Sequence, residues 1–182
     1  ARRTRTEEAL ELSRQLGVLR VKEAQERGIH PENLRRLCRQ GKLERVSRGL
    51  YRLPDADVTE HATLVTVSKR FPNGVTCLLS ALRFHGIGTQ NPREVWMALR
   101  RGTARPRSSN LPVRFMVFSE ASFAAGVEEH TIENVRVRVT DPAKTVADCF
   151  KFRNKFGLGV AREASRDVVQ QGGDMVMLWR YA

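Results

Sequence analysis

Apolar positions in the first forty residues repeat with a helical period three times, then give way to strand-like alternation. In RTEEALELSRQLG, Ala9, Leu12 and Leu16 fall on one face, acids crowd the first turn, and Gly17 stands where a helix would stop. RVKEAQERG reads as a second short helix ending at Gly28. IHPENLRRLCRQG opens with Pro31 at a first-turn position and closes at Gly41, with Leu34, Leu37 and Cys38 on one face. Two strands are predicted at about 43–47 and 50–53, with SRG at the tip between them. Leu43 and Val46 are out of phase, so a bulge is expected there.

A polar stretch, PDADVTE at 54–60, then reads as a domain junction. Beyond it, ADVTEHATLVTVSKRF and VTCLLSALRFHG are predicted as helices, the first despite its β-branched residues. REVWMALR and VRFMVFS have the β-branched and aromatic content of strands, separated by the basic loop RGTARPRSSNLP. ASFAAG reads as a short helix, and VEEHTI and VRVRVT as two strands around a tight turn at Glu133-Asn134. DPAKTVADCFKFRNKFG begins with Asp141 as a cap and Pro142 in the first turn, and its expected buried face is Val146, Cys149 and Phe150. LGVAREASRDVVQQGG is a further helix. DMVMLWRYA starts one more amphipathic helix, with Met175, Leu178 and Trp179 apolar, and stops within it, as a chain cut short at Ala182 would.

Charge changes the picture. The 182 residues carry a net charge of +12, a field that favours nucleic acid or an anionic membrane surface. It is uneven: residues 1–53 hold 14 Lys/Arg and 7 Asp/Glu, a net of +7, while the remaining 129 hold 18 and 13, a net of +5. The longest charge-free run, FPNGVTCLLSAL at 71–82, falls well short of the roughly 18 apolar residues of a membrane span. The amino-terminal ARRTRTEEALELSRQ has no apolar run of a secretory signal, and the chain opens on Ala, as a processed or clipped chain would. Cys38, Cys77 and Cys149 are odd in number and far apart, which points to free thiols in a reducing cytosol. Without CxxC or CxH spacing, no zinc or other metal site is expected.

Helix, glycine turn, helix and a two-stranded wing is the order of a winged helix-turn-helix. The expected fold class is therefore α+β: that module over 1–54, followed by a mixed α/β domain over 55–182, truncated at its C-terminal end. At about 100° per residue, Arg35, Arg36 and Arg39 spread over the side of the third helix opposite its apolar stripe. An arginine there can donate two bonds to guanine in a DNA major groove. His30 and Asn33 lie near the amino terminus of this helix, the end usually nearest the bases. Lys42, Arg45 and Arg48 would ride the backbone, with Arg48 at the wing tip able to reach the minor groove. Arg20 and Lys22 begin the preceding helix, where helix-end amides also favour phosphate. Tyr51 is expected to pack under the wing. A solvated basic face is the plain alternative. For Arg100, Arg101, Arg105 and Arg107 in the later loop, solvation is the favoured role and a supplementary nucleic-acid contact the second.

Catalytic signals are poor. His30-Pro31-Glu32 has the H-x-E of zinc deaminases without a following P-C-x-x-C. Gly86-Ile87-Gly88 follows a helix, the wrong context for a dinucleotide loop. Ser80 and His85 lie on one helix with no placed acid. Asp141 caps a helix, whereas metal-dependent nucleases need a strand-borne acid. No catalytic residues and no cofactor are expected. A nuclease delivered by the winged helix and a protein-binding module that contacts its partner directly remain the two rivals.

GKLERVSRGLYRL, then CLLSALRFHGI, then VTDPAKTVADCFKFR, resembles the AbiEi family of antitoxins from type IV toxin–antitoxin systems, over roughly residues 10–170. The pairing of LSALRFHG with TDPAKTVADC is the more specific part. The resemblance implies a cytoplasmic regulator whose winged helix binds promoter DNA and represses its own operon; the operator is expected to be an inverted repeat. It implies a carboxy-terminal domain that counters a nucleotidyltransferase-like toxin without a stable complex. No membrane partner is implied.

Overall fold

The computed structural model describes residues 4–107 and 110–181. The chain is α+β and divides by its internal contacts into two units. The first runs to Pro72 and includes the segment Thr131–Val137; the second holds Asn73–Arg107, Pro112–His130 and the chain from Arg138 on.

Helix α1 (Arg5–Leu16) opens the first unit behind a reciprocal cap: Thr4 Oγ1 accepts from the Glu7 backbone N–H at 3.2 Å, and the Thr4 N–H donates to Glu7 Oε2 at 2.8 Å. It ends at Gly17, where φ is +71° and ψ −60° and the Val18 N–H donates to the Leu16 carbonyl at 2.8 Å. That is a tight turn of the rare positive-φ kind, which a residue with a Cβ would strain to make. The turn feeds a strand of two residues, β1 (Leu19–Arg20), then α2 (Val21–Glu26) and α3 (Pro31–Arg39). The hairpin β2 (Glu44–Ser47) and β3 (Leu50–Arg52) completes a three-stranded sheet of order β1-β3-β2. Its register slips between Arg45 and Ser47, the expected irregularity. Ala9, Leu12, Leu19, Ala24, Ile29, Leu34, Leu37, Leu43 and Tyr51 form one core beneath these elements. Each fully buried leucine or isoleucine contributes roughly 1.5–3 kcal/mol. Helix α4 (Ala62–Arg70) follows; it starts later than the sequence pattern indicates, after an irregular stretch over 53–59.

The two strands β7 (Val127–Ile132) and β8 (Val135–Thr140) turn on Glu133 and Asn134, at φ +51° and +61°. Paired positive φ values are what the right-handed twist of a two-residue hairpin demands. Within the first unit, Glu133 Oε1 accepts from the Thr59 N–H at 2.7 Å and the Thr59 hydroxyl at 2.8 Å.

The large sheet has the order β6-β5-β4-β8-β7 and mixes parallel and antiparallel pairs. Its β4 (Val75–Thr76) comes from a stretch whose pattern predicts continuous helix; the helix proper is α5 (Leu78–His85), ending at Gly86. Strands β5 (Val95–Arg100) and β6 (Val113–Phe118) run parallel, with α6 (Glu120–Ala124) next. Helices α7 (Pro142–Lys151), α8 (Arg153–Phe156), α9 (Leu158–Gln170) and α10 (Met175–Tyr181) finish the chain. The second unit's core joins Leu78, Leu82, Trp96, Phe118, Val146, Cys149, Ala161 and Val168. Phe84 is only half-buried, set edge-on to His85 and His130.

The buried face of α7 differs from expectation. Val146 and Cys149 are buried, but Phe150 is 37% exposed, and Lys144 and Asp148 take interior places. Lys144 Nζ pairs with the Asp148 carboxylate one turn on, donates to Ser122 Oγ at 3.2 Å and lies 5.1 Å from the Phe118 ring centre. Burial raises the Asp148 carboxyl above the usual carboxylate range, against the pull of Lys144. Burial and the Asp148 charge push the Cys149 thiol up to about 12, and Cys77 is driven well above its ordinary value, so both stay as inert thiols. Of the apolar α10 positions, Leu178 is buried while Met175 and Trp179 face solvent.

Candidate nucleic-acid interface

Helix α3 is started by His30, whose Nδ1 accepts from the Glu32 N–H at 3.2 Å, and by Pro31 in the first turn. Leu34 and Leu37 anchor its inner side, so the helical period turns Glu32, Arg35, Arg36, Arg39 and Gln40 outward, all exposed.

The three arginines are held differently. Arg35 Nη1 lies 3.3 Å from Glu32 Oε2, and Arg39 pairs with Glu32 Oε1. Both guanidinium side chains remain 69% exposed, so these pairs are solvent-screened. Arg36 instead leans towards α1: its Nη2 donates to Thr6 Oγ1 at 3.0 Å and Asn33 Oδ1 at 3.3 Å. Both acceptors are neutral, so the Arg36 charge is left uncompensated by them.

Arg35 also faces the hairpin. With Pro31 and Cys38, the neighbours one turn to either side of it, it lines a groove of about 510 Å³ opposite Val21, Arg45, Arg48, Gly49 and Tyr51. The Val21 N–H donates to the Gly49 carbonyl at 3.0 Å, which ties the hairpin turn to the start of α2. Arg45 Nε reaches the Ser47 carbonyl at 3.3 Å. Tyr51 is 7% exposed and forms part of the groove wall. Burial raises the Cys38 thiol there and the nearby Arg45 charge pulls it back.

The structure thus brings Arg35, Arg45 and Arg48 to one concavity and places Arg36, Arg39 and His30 on the adjoining exposed surface of α3. Asn33 is half-buried and occupied by Arg36. Lys42 is exposed in the turn after α3, and Lys22 is exposed on α2. Arg20 is half-buried at the end of β1, immediately before α2, and its backbone N–H donates to Glu23 at 2.8 Å. Arg52, part of the same basic run in sequence, is drawn across the hairpin onto Glu44 and does not line the groove. Glu32 is the charged member of this face that attention to basic residues alone passes over; its spacing of three and seven from Arg35 and Arg39 is the signal.

Residues 7–54 match the family described as "Transcriptional regulator, AbiEi antitoxin". The matched segment runs from within α1 through β1, α2, α3 and the β2–β3 hairpin, and the match supports a regulatory, antitoxin role. A crystal structure, that of the RV2827C protein from Mycobacterium tuberculosis, is similar in fold: TM-score 0.57 at 14% identity, over 95% of this chain and 74% of that one. No curated protein matches the sequence. Among the described residues, no group of three or more His, Cys, Asp or Glu could hold a metal ion, and no helix is long and apolar enough to cross a membrane.

Proposed function

We propose that this chain is a DNA-binding transcriptional regulator that acts as the antitoxin of a two-gene system and represses its own operon. The module over 1–54 is a winged helix-turn-helix. Helix α3 enters the major groove of promoter DNA, and Arg36 and Arg39, with His30 and Asn33 near the helix start, face base edges or flanking phosphates. The β2–β3 hairpin is the wing: Arg45 and Arg48, with Lys42, Arg20 and Lys22, hold the phosphate backbone. Such contacts are sequence-blind and position the helix; discrimination comes from the base edges.

The observation that carries this reading is the shared groove of Arg35, Arg45 and Arg48 beside an exposed, arginine-bearing α3. The family match over 7–54 supports the same role. The second part of the chain, 55–182, is the antitoxin domain, acting in the cytoplasm against a nucleotidyltransferase-like toxin without a stable complex. The reading is regulatory, with no catalytic set assigned.

A footprint tests it. The full chain, incubated with a labelled duplex from upstream of its own gene, should protect an inverted repeat. Arg36→Ala should weaken binding by about 1–3 kcal/mol and relax preference at one base pair. A wild-type chain that protects no site and shifts no duplex overturns the proposal.

A further inference from the structure

On the exposed side of α3, an arginine-bearing helix puts a carboxylate where phosphate is supposed to come. Glu32 sits in the first turn with a side chain 52% exposed, and it holds two of the three arginines of that face, Arg35 at 3.3 Å and Arg39 as its second partner. The helical spacing puts the three side chains on one stripe, i, i+3 and i+7. His30 caps the backbone N–H of this same residue, so its position at the tip of the helix is fixed.

A carboxylate in this place has two opposite effects. Near any DNA it lies among phosphodiester anions, which repel it, and it takes up guanidinium donors that could otherwise bind phosphate. Sequence-blind affinity is therefore reduced. Near a base pair that offers an exocyclic amino group in the major groove, it can accept a hydrogen bond that no phosphate can replace. Cytosine N4 is the matching donor, and the complementary guanine, with its O6 and N7, suits an arginine of the same stripe.

We propose that Glu32 is a specificity-determining residue of this helix: it reads the amino group of a cytosine and holds Arg35 and Arg39 back from indiscriminate phosphate binding. This inference rests on the DNA-reading function proposed above and adds to it a penalty against wrong sites. Specificity is a difference of affinities, and a repulsive element raises it as surely as an attractive one. Of the three arginines, Arg36 donates to neutral oxygens, Thr6 Oγ1 and Asn33 Oδ1, and lies outside the Glu32 pairs.

The test is selection from a duplex library randomised over 20 base pairs, run with full-length wild type, Glu32→Ala and Glu32→Gln. Thermal melts of the three proteins should coincide, which checks that the exposed substitutions leave the fold intact. Wild type should select a motif with a C·G pair at one position in each half-site. Glu32→Ala should lose the preference at that position, from about tenfold or more to near unity. It should also bind random duplex several-fold more tightly, with a log–log salt slope steeper by about 0.9 for each arginine released onto a phosphate. Glu32→Gln should shift the position towards A·T, because a carboxamide bonds adenine at N6 and N7. The inference is overturned if Glu32→Ala selects the wild-type motif with an unchanged ratio. It is equally overturned if that variant loses all duplexes alike, since the acid would then only be supporting the helix. If wild type selects no motif, the DNA-reading function itself fails, a result distinct from either.

Discussion

Lys144 and Asp148 are the most buried charged pair described in this chain, with side chains 2% and 3% exposed. A buried ion pair is weak evidence of stability, because each ion has left water and their attraction only offsets that loss. Removing one partner is another matter, since the survivor keeps its cost without its compensation. Lys144→Met should therefore destabilise the protein by about 3–5 kcal/mol. Lys144→Met together with Asp148→Leu should recover most of the loss, because two apolar side chains of similar volume suit a site bounded by Phe118. Urea unfolding of the three proteins decides it; a double variant no better than the single one would show that the pair, or its bond to Ser122, contributes more than mutual neutralisation. The sequence hid this pair for a physical reason. Lys144 and Asp148 are four apart, and charges at that spacing ordinarily mark a solvated face. Only packing of α7 against its neighbours reveals that the stripe lies inside. Phe150 shows the converse: apolar by type and expected inside, it is left at the surface by the rotation of the same helix.

At the scale of elements, what was legible were the helix boundaries. Gly17, Gly86 and Pro142 mark helix ends that the structure reproduces, and at the Glu133–Asn134 turn Asn134 is a residue that tolerates positive φ, whereas Glu133 adopts it without such a preference. The two-residue strands β1 and β4 were not legible, because two residues carry no period; they exist through partners at a distance, Tyr51 and Leu50 for β1, Ala98, Met97 and Val139 for β4. The candidate interface divides in the same way. The outward arginines of α3 follow from the 3.6-residue period, whereas the groove they share with Arg45 and Arg48 depends on where the hairpin folds back. The turn at Gly17 ties these levels together. A Cβ on Gly17 would run into the Glu133 carbonyl oxygen, and φ is +71°. At Gly41 φ is +69°, yet a Cβ would meet nothing within 4 Å. Gly41→Ala should therefore cost only the backbone strain, about 1 kcal/mol. Gly17→Ala carries at least that strain plus displacement of the hairpin tip and should cost at least about 2 kcal/mol more. Equal shifts in the denaturation midpoints of the two variants would mean that the tip yields freely.

For the whole molecule the question is how much of the +12 charge acts on a duplex. A uniformly basic surface would let every arginine contribute a little, and no single substitution would stand out. The arrangement in the first unit is different. Arg52 is committed to Glu44, Lys69 to Glu23, and Arg35 and Arg39 share Glu32. The proposed phosphate contacts thus narrow to the exposed Lys22, Lys42, Arg45 and Arg48, with Arg36 and the half-buried Arg20 beside them. Counterion release makes this countable. Each phosphate neutralised contributes about −0.9 to the slope of log K against log salt. Lys42→Ala and Arg48→Ala should each flatten the wild-type slope by about 0.9, weaken binding nearly equally on selected and random duplexes, and add together in the double variant. Arg100→Ala, a change in the second unit where the guanidinium meets Glu120 at 3.1 Å, should leave the slope unchanged if the later basic loop is merely solvated. Titration of fluorescent duplex between 50 and 200 mM salt measures all of these. A flattening on Arg100→Ala equal to that on Lys42→Ala would assign the duplex a second contact in the 100–107 region, and the proposed division of labour between residues 1–54 and 55–182 would have to be redrawn.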